Sequence, residues 1–173
     1  MLTPIQIPQS LALNGLPLLA RLTFAGTLLV YFWNSALTKL GDGVLGFVRP
    51  SFNSYAQIFP RQMEALNYDA SQLGLFHWAV VMAGTYAEFI LPALIILGLL
   101  TRLAALGMIG FVVVQSLTDI VGHHVPLGAW FDAASDAPIA DQRALWVYLL
   151  VTLIALGGGP LSLDRLLFQR KSA

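Results

Sequence analysis

Formal charge is scarce in this chain, and the places that lack it are long. Nine basic and nine acidic side chains are shared among 173 residues. The runs 1–20, 22–38, 70–87, 89–101, 103–118 and 144–163 hold none. A soluble domain carries roughly 25% charged residues, whereas here the share is 10%, with 57% hydrophobic. So few ionised groups cannot clothe a compact water-soluble surface, and so much apolar surface is not that of a disordered chain. About 20 apolar residues at 1.5 Å each cross a bilayer. Joining runs across single charges gives four spans, at 17–40, 72–100, 102–122 and 142–160. The expected fold is an all-α membrane protein, a four-transmembrane-helix bundle forming one domain over 1–173, with the lipid bilayer as its first partner.

Several functions drop out. The net charge of zero leaves no basic patch, so nucleic acid is not a partner. The absence of cysteine removes disulfides, a thiolate nucleophile, cysteine-ligated clusters and covalently attached haem. Redox chemistry would need a bound cofactor, a metal on His or carboxylate, or a partner protein.

The connections differ. Spans two and three are joined by a few residues around Gly98 to Arg102, which makes them antiparallel neighbours. The other two connections, about 41–71 and 123–141, are long and hold aromatics such as Phe47, Phe52, Phe59, Trp130 and Phe131. They read as a lid or partner-docking surface, or as a cap over helix ends. After Gly157-Gly158-Gly159-Pro160, Ser162 stands where an N-cap would, before a short interfacial helix at about 162–171. The first residues lack a basic region and are broken by Pro4, Pro8 and Pro17, unlike a signal peptide. Arg21, Arg102, Arg165, Arg170 and Lys171 flank one side, and Lys39, Arg49, Arg61 and Arg143 the other. The positive-inside rule then places both termini in the cytoplasm and the long loops outside.

Ionisable groups within spans cost about 2.5–3.5 kcal/mol at the helix centre and normally find partners inside the bundle. Rise per residue puts Lys39 and Asp119 near one level, as partners of opposite sign, with Glu88 deeper and more isolated. One reading is a proton-handling or headgroup-binding cluster of Glu88, Lys39 and Asp119; the other is an ion pair with Glu88 locking helix register. Arg21 and Arg102 are expected to snorkel to headgroups in structural or interfacial roles. His77, His123 and His124 lie toward the long loops, and Asp119 and His123, four apart, share a helix face. No His-x-x-x-His or His-Glu-x-x-His pattern occurs, so no metal is expected, these histidines are only weak candidates for one, and relay or interfacial roles are expected.

There is also an internal echo. Aligning Leu18–Thr23 with Leu99–Ala104 places Asn34 on Gln115 and Ser35 on Ser116. A one-residue slip places Lys39 on Asp119. Two repeated helical hairpins would explain it; chance similarity among leucine-rich strings would too. Repetition would set a polar band of Asn34, Ser35, Thr38 and Lys39 against Gln115, Ser116, Thr118 and Asp119.

Arg21 and Lys39 in the first span, Glu88 in the second, the Gly98–Leu100–Thr101–Arg102 turn and the closing Gly159-Pro160-x-Ser162-x-Asp164 together resemble the DoxX family of small four-helix membrane proteins. Where family members often carry glycine before the Lys, this chain reads Asn34-Ser35-Ala36. The resemblance implies a bacterial inner-membrane protein with redox associations, since DoxD-like relatives form the membrane part of thiosulfate:quinone oxidoreductases. It implies no catalysis by itself, and enzyme activity is left open. The first expectation is a quinone-serving subunit, with the ring near Trp33, Glu88 and Asp119, protons managed by Glu88 or His123, and membrane or periplasmic subunits as partners. The alternatives are a non-catalytic scaffold of a larger membrane complex and a small-solute permease.

Overall fold

The computed structural model describes residues 8–168. Four helices are long and apolar enough to cross a membrane: Leu13–Lys39, Leu75–Leu97, Thr101–Gly122 and Pro138–Leu156. Each falls within a few residues of its expected range. They run up and down around a ring, each packed on the next, and the fourth closes on the first. Among the described residues there is no β-strand, only one isolated bridge between Leu40 and Pro50. The expected terminal helix is present as Leu163–Phe168; Arg170 and Lys171, like Pro4, lie outside the described residues.

The interior is aromatic and aliphatic. Phe24, Phe32, Ile95, Met108, Leu150 and Leu153 are wholly buried. Phe32 meets Phe111 and Trp146 edge-on, each at 5.9 Å between centroids. The outside is apolar as well, with Leu22, Leu103, Leu145 and Tyr148 among the exposed side chains. Helices apolar on every face belong in lipid. Association between them then rests on close packing and interior polar bonds rather than on expulsion of water.

The two ends of the bundle are built differently. At the terminal face, the second span stops at Gly98, whose φ of 66° is the left-handed conformation that glycine adopts without strain. The Leu99 amide donates back to Leu94 and the Gly98 amide to Ile95, closing the helix. Asp164 then reaches across, accepting from the amides of Leu100 and Thr101 at 2.6 and 2.9 Å and from the Thr101 hydroxyl at 2.7 Å. A carboxylate thus caps the third span from outside it, where unpaired N–H groups and the helix dipole favour negative charge.

Arg21 completes this end and corrects an expectation. It does not snorkel to headgroups. Only 7% exposed, it donates to the carbonyls of Ile95 (3.1 Å), Gly158 (3.0 Å), Leu161 (2.6 Å) and Ile96. These carbonyls belong to the end of the second span and the turn after the fourth, and one guanidinium satisfies both. Arg102 stays exposed and donates to the Ala155 carbonyl at 3.3 Å.

At the loop face, the first span ends well short of the second. Lys39 meets Glu88, thirteen residues into the helix that starts at Leu75. The space beyond Lys39 is filled by the long connection, which forms the short helices Phe52–Ile58 and Pro60–Ala65. Helix Phe52–Ile58 packs on the first and second spans. The end of the third span abuts the start of helix Pro60–Ala65, since a Cβ on Gly122 would stand 2.5 Å from the Pro60 ring.

Candidate functional site

Two ion pairs define the loop-face half of the interior. The Lys39 ammonium lies 2.9 Å from Glu88 Oε2 and 3.1 Å from Oε1, with Lys39 6% and Glu88 2% exposed. Ser35, one turn below Lys39, binds both partners: its hydroxyl accepts from Lys39 at 2.7 Å and donates to Glu88 at 3.0 Å. Lys39 also donates to the Ser35 carbonyl. A buried charge pair persists only when its remaining hydrogen-bonding capacity is met, and Ser35 meets part of it.

The second pair joins Asp119 to Arg143, with Arg143 also donating to the Ser116 hydroxyl at 3.1 Å. Both members sit on π-helical turns, Thr118–Gly122 and Pro138–Arg143, where the chain bonds five residues back: His123 amide to Thr118, Gln142 amide to Ala137. Widened turns of this kind are frequent at functional sites. The Arg143 guanidinium stands 6.0 Å from the Trp146 ring centroid.

The expected pairing is therefore corrected. Lys39 does not partner Asp119, and Glu88 is not isolated; each charged pair lies within one helical hairpin. By sequence Arg143 stands only as a flanking charge. Its signal was position: it opens the fourth apolar run on the side where Asp119 ends the third.

Between these pairs lies a cavity of about 630 Å³, bounded by the first three spans, by Arg143 of the fourth, and by Gln57 and Ile58 of the overlying helix. Its polar end holds Ser35, Lys39, Glu88, Gln115, Thr118, Asp119, His123 and Arg143. Much of the expected polar band therefore does face one space, while Asn34 and Thr38 are exposed elsewhere. Nε2 of His123 lies 2.9 Å from the Gln57 carbonyl, which ties the end of the third span to the overlying helix. Gln115 donates to the Tyr31 hydroxyl at 2.9 Å, but its own Oε1 is buried without a protein partner. Tyr31 was not among the expected site residues.

The rest of the lining is small or apolar. Ala83, Gly84 and Ala87 come from the second span, and Gly107, Gly110 and Val114 from the third. Ala83, Gly107, Gly110 and Val114 are exposed, so this wall reaches the lipid-facing side of the bundle. A Cβ on Gly110 would meet nothing within 4 Å.

Three expected residues do not join the site. Trp33 is on the outer side, its indole donating to the Phe89 carbonyl at 3.2 Å, and it does not line the cavity. His77 packs edge-on against Phe59 and Phe76. His124 is exposed at a positive φ of 56°. Among the described residues no three His, Asp or Glu side chains converge as metal ligands would.

Four helices long and apolar enough to cross a membrane, with two ion pairs packed among them, define a polytopic membrane protein. The chain matches the DoxX family model over residues 16–119, and it belongs to that family. The match takes in Arg21, Lys39, Glu88 and the Gly98–Arg102 turn and stops at Asp119, before Arg143. No curated protein and no solved structure matches the chain.

Proposed function

We propose that this chain is the membrane subunit of a redox assembly and holds a neutral, quinone-type ring in the cavity between its first three spans. One observation carries the reading: the cavity joins an internally neutralised polar end to a wall of small residues facing lipid. Lys39 cancels Glu88 and Arg143 cancels Asp119, so no spare charge is offered to an ion. That favours an uncharged, lipid-soluble ligand over a permeating ion. The volume suits a ring of this size, within the ~300–1,000 Å³ usual for small-molecule sites.

The residues then have separate tasks. Gln115 Oε1 accepts a hydrogen bond from the ligand, and the Tyr31 hydroxyl is free to donate one. Gly110, Gly107 and Ala83 leave the lateral path clear. Glu88 and His123 exchange protons at the polar end. With no cysteine in the chain, electrons come from a partner subunit or directly from the substrate. The localisation that goes with this is the bacterial inner membrane, termini cytoplasmic, and a donor-side partner at the loop face.

The alternative is a non-catalytic assembly subunit, favoured by Trp130 and Phe131, which stand out from the loop face. Binding of a short-chain quinone to the protein in nanodiscs, read by tryptophan quenching, separates the two. Gly110→Leu fills open space without touching either ion pair, and affinity falls about tenfold or more if the wall is the path. No binding to the unmodified protein, or equal binding to both proteins, removes the quinone site. Unchanged quinone reduction by an assembled complex carrying Glu88→Gln removes the proton role.

A further inference from the structure

The chain beyond Lys39 makes a closed excursion. Leu40 and Pro50 bridge. The Ser51 amide donates to the Lys39 carbonyl and its hydroxyl to the Thr38 carbonyl, both at 2.9 Å. The base of the excursion is therefore fixed to the end of the first span, where Lys39 meets Glu88. Glu88 is roughly 20 Å along the second span from Leu75, at ~1.5 Å per residue. The excursion does not rise away from the bundle. It lies on the flank of the second span, where Tyr86 donates to the Phe47 carbonyl at 2.5 Å and Trp78 to the Val48 carbonyl at 3.0 Å. Trp78 and Tyr86 both belong to the exposed side of that apolar helix.

What the excursion turns outward is apolar. Val44 is 92% exposed, Phe47 59%, Leu45 54% and Val48 50%. Part of its backbone bonds within the excursion. Gly41 donates to Arg49 and Gly46, Gly46 to Gly43, and Val48 and Arg49 both to Leu45. Gly41 and Gly46 approach so closely that a Cβ on Gly46 would stand 2.0 Å from the Gly41 oxygen.

We propose that Val44–Val48 is a membrane-inserted loop, a wedge in the leaflet that also holds the Lys39–Glu88 pair, with lipid acyl chains as its occupant. Three observations converge on lipid. The loop continues the lipid-facing surface of the second span. It runs along that helix from Tyr86, eleven residues in, to Trp78, three residues in. Much of its backbone hydrogen bonding is met by its own tight turns and by Tyr86 and Trp78 of the second span, which lowers the cost of placing non-helical chain at membrane depth. Asp42 and Arg49 stand near its base, both exposed.

The chain lacks cysteine, so Val44→Cys, Phe47→Cys and Ser71→Cys each give a single reporter at an exposed position. In proteoliposomes, an impermeant maleimide reacts about tenfold more slowly at 44 and 47 than at 71, as partition of a large apolar side chain implies. A bimane label at 44 or 47 is quenched by brominated phosphatidylcholine, and one at 71 is not. Fast labelling without lipid quenching would place the loop in water. Slow labelling without lipid quenching would mean that protein covers it. Either result overturns the proposal.

Discussion

The Lys39–Glu88 pair makes the most demanding prediction, because each single loss leaves the other charge in an apolar layer. Lys39→Met keeps the stem and most of the volume. It leaves Glu88 with the Ser35 hydroxyl as its remaining partner, in place of two contacts to an ammonium at 2.9 and 3.1 Å. Removing one member of a buried pair costs about 3–5 kcal/mol, and 3 kcal/mol is roughly a 150-fold loss in the folding equilibrium. Glu88→Gln costs less, because the amide oxygen still accepts from Lys39, and Ser35 still offers two acceptors at 2.7 and 3.2 Å. The double variant Lys39→Met with Glu88→Met removes both charges and returns close to wild type, since apolar replacement of a buried pair is often neutral or stabilising. Unfolding in mixed micelles, followed by far-UV circular dichroism, gives the cycle. The coupling expected is at least ~2 kcal/mol, within the range for contacting residues. Additive singles, or a Lys39→Met loss below ~1 kcal/mol, would refute the claim that these charges compensate each other.

Three further outcomes follow from the two ends of the bundle. Gly98→Ala forces a Cβ to 2.5 Å from Ser162 Cβ at a φ of 66°, and costs more than ~1 kcal/mol in the same unfolding assay. Asp164→Ala removes the cap on Leu100 and Thr101 and costs about 0.5–2 kcal/mol, with faster amide exchange in the first turn of the third span. In the long loop, hydrogen bonds from the Ser71 hydroxyl, Gln72 and the Ser71 amide hold the Asp69 carboxyl below its usual range. A depressed folded value stabilises above the unfolded pKa of ~3.9 and is lost as pH falls through the folded one. An NMR titration therefore finds Asp69 low, and Ser71→Ala moves it back up.

The spans were legible because lipid imposes one rule on every residue in them. An uncharged run of sufficient length has few other destinations, and the four helices lie within a few residues of those runs. The terminal face was half legible. Ser162 and Asp164 stood out beside a glycine turn, but that Asp164 caps a helix more than sixty positions earlier depends on how the ends meet. Arg21 misled because a long basic side chain near a span end has two good solutions, water or carbonyls, and the choice is made by neighbours far along the chain. Lys39, Glu88 and Asp119 were found by the cost of burying charge, and His123 by its spacing of four from Asp119. Their pairing was not, because depth estimated from rise per residue assumes spans that begin and end together. The first span stops short, and that offset alone exchanges Asp119 for Glu88 as the partner of Lys39. Trp33 failed for another reason: an aromatic at the right depth has several faces of the bundle to choose from, and level does not decide among them.

The contrast between the ends is why the proposed ligand site is placed at the loop face. At the terminal face, charge is spent on backbone: Arg21 on carbonyls, Asp164 on amides. Such contacts use up the hydrogen-bonding capacity of both sides and leave a rigid closure where the second and third spans turn. At the loop face the connections within each hairpin are long and cannot set register. There each hairpin is stapled side chain to side chain, Lys39 to Glu88 and Arg143 to Asp119, each with a serine from the odd helix. The order of charge is reversed between the hairpins, where the internal echo aligns Lys39 with Asp119. Two opposed dipoles then face one cavity. Their sum is neutral, but the local field is strong and fixed by geometry. A space of that kind repels neither an apolar ring nor a polar carbonyl on it, and it gives a bare ion nothing to balance its lost hydration.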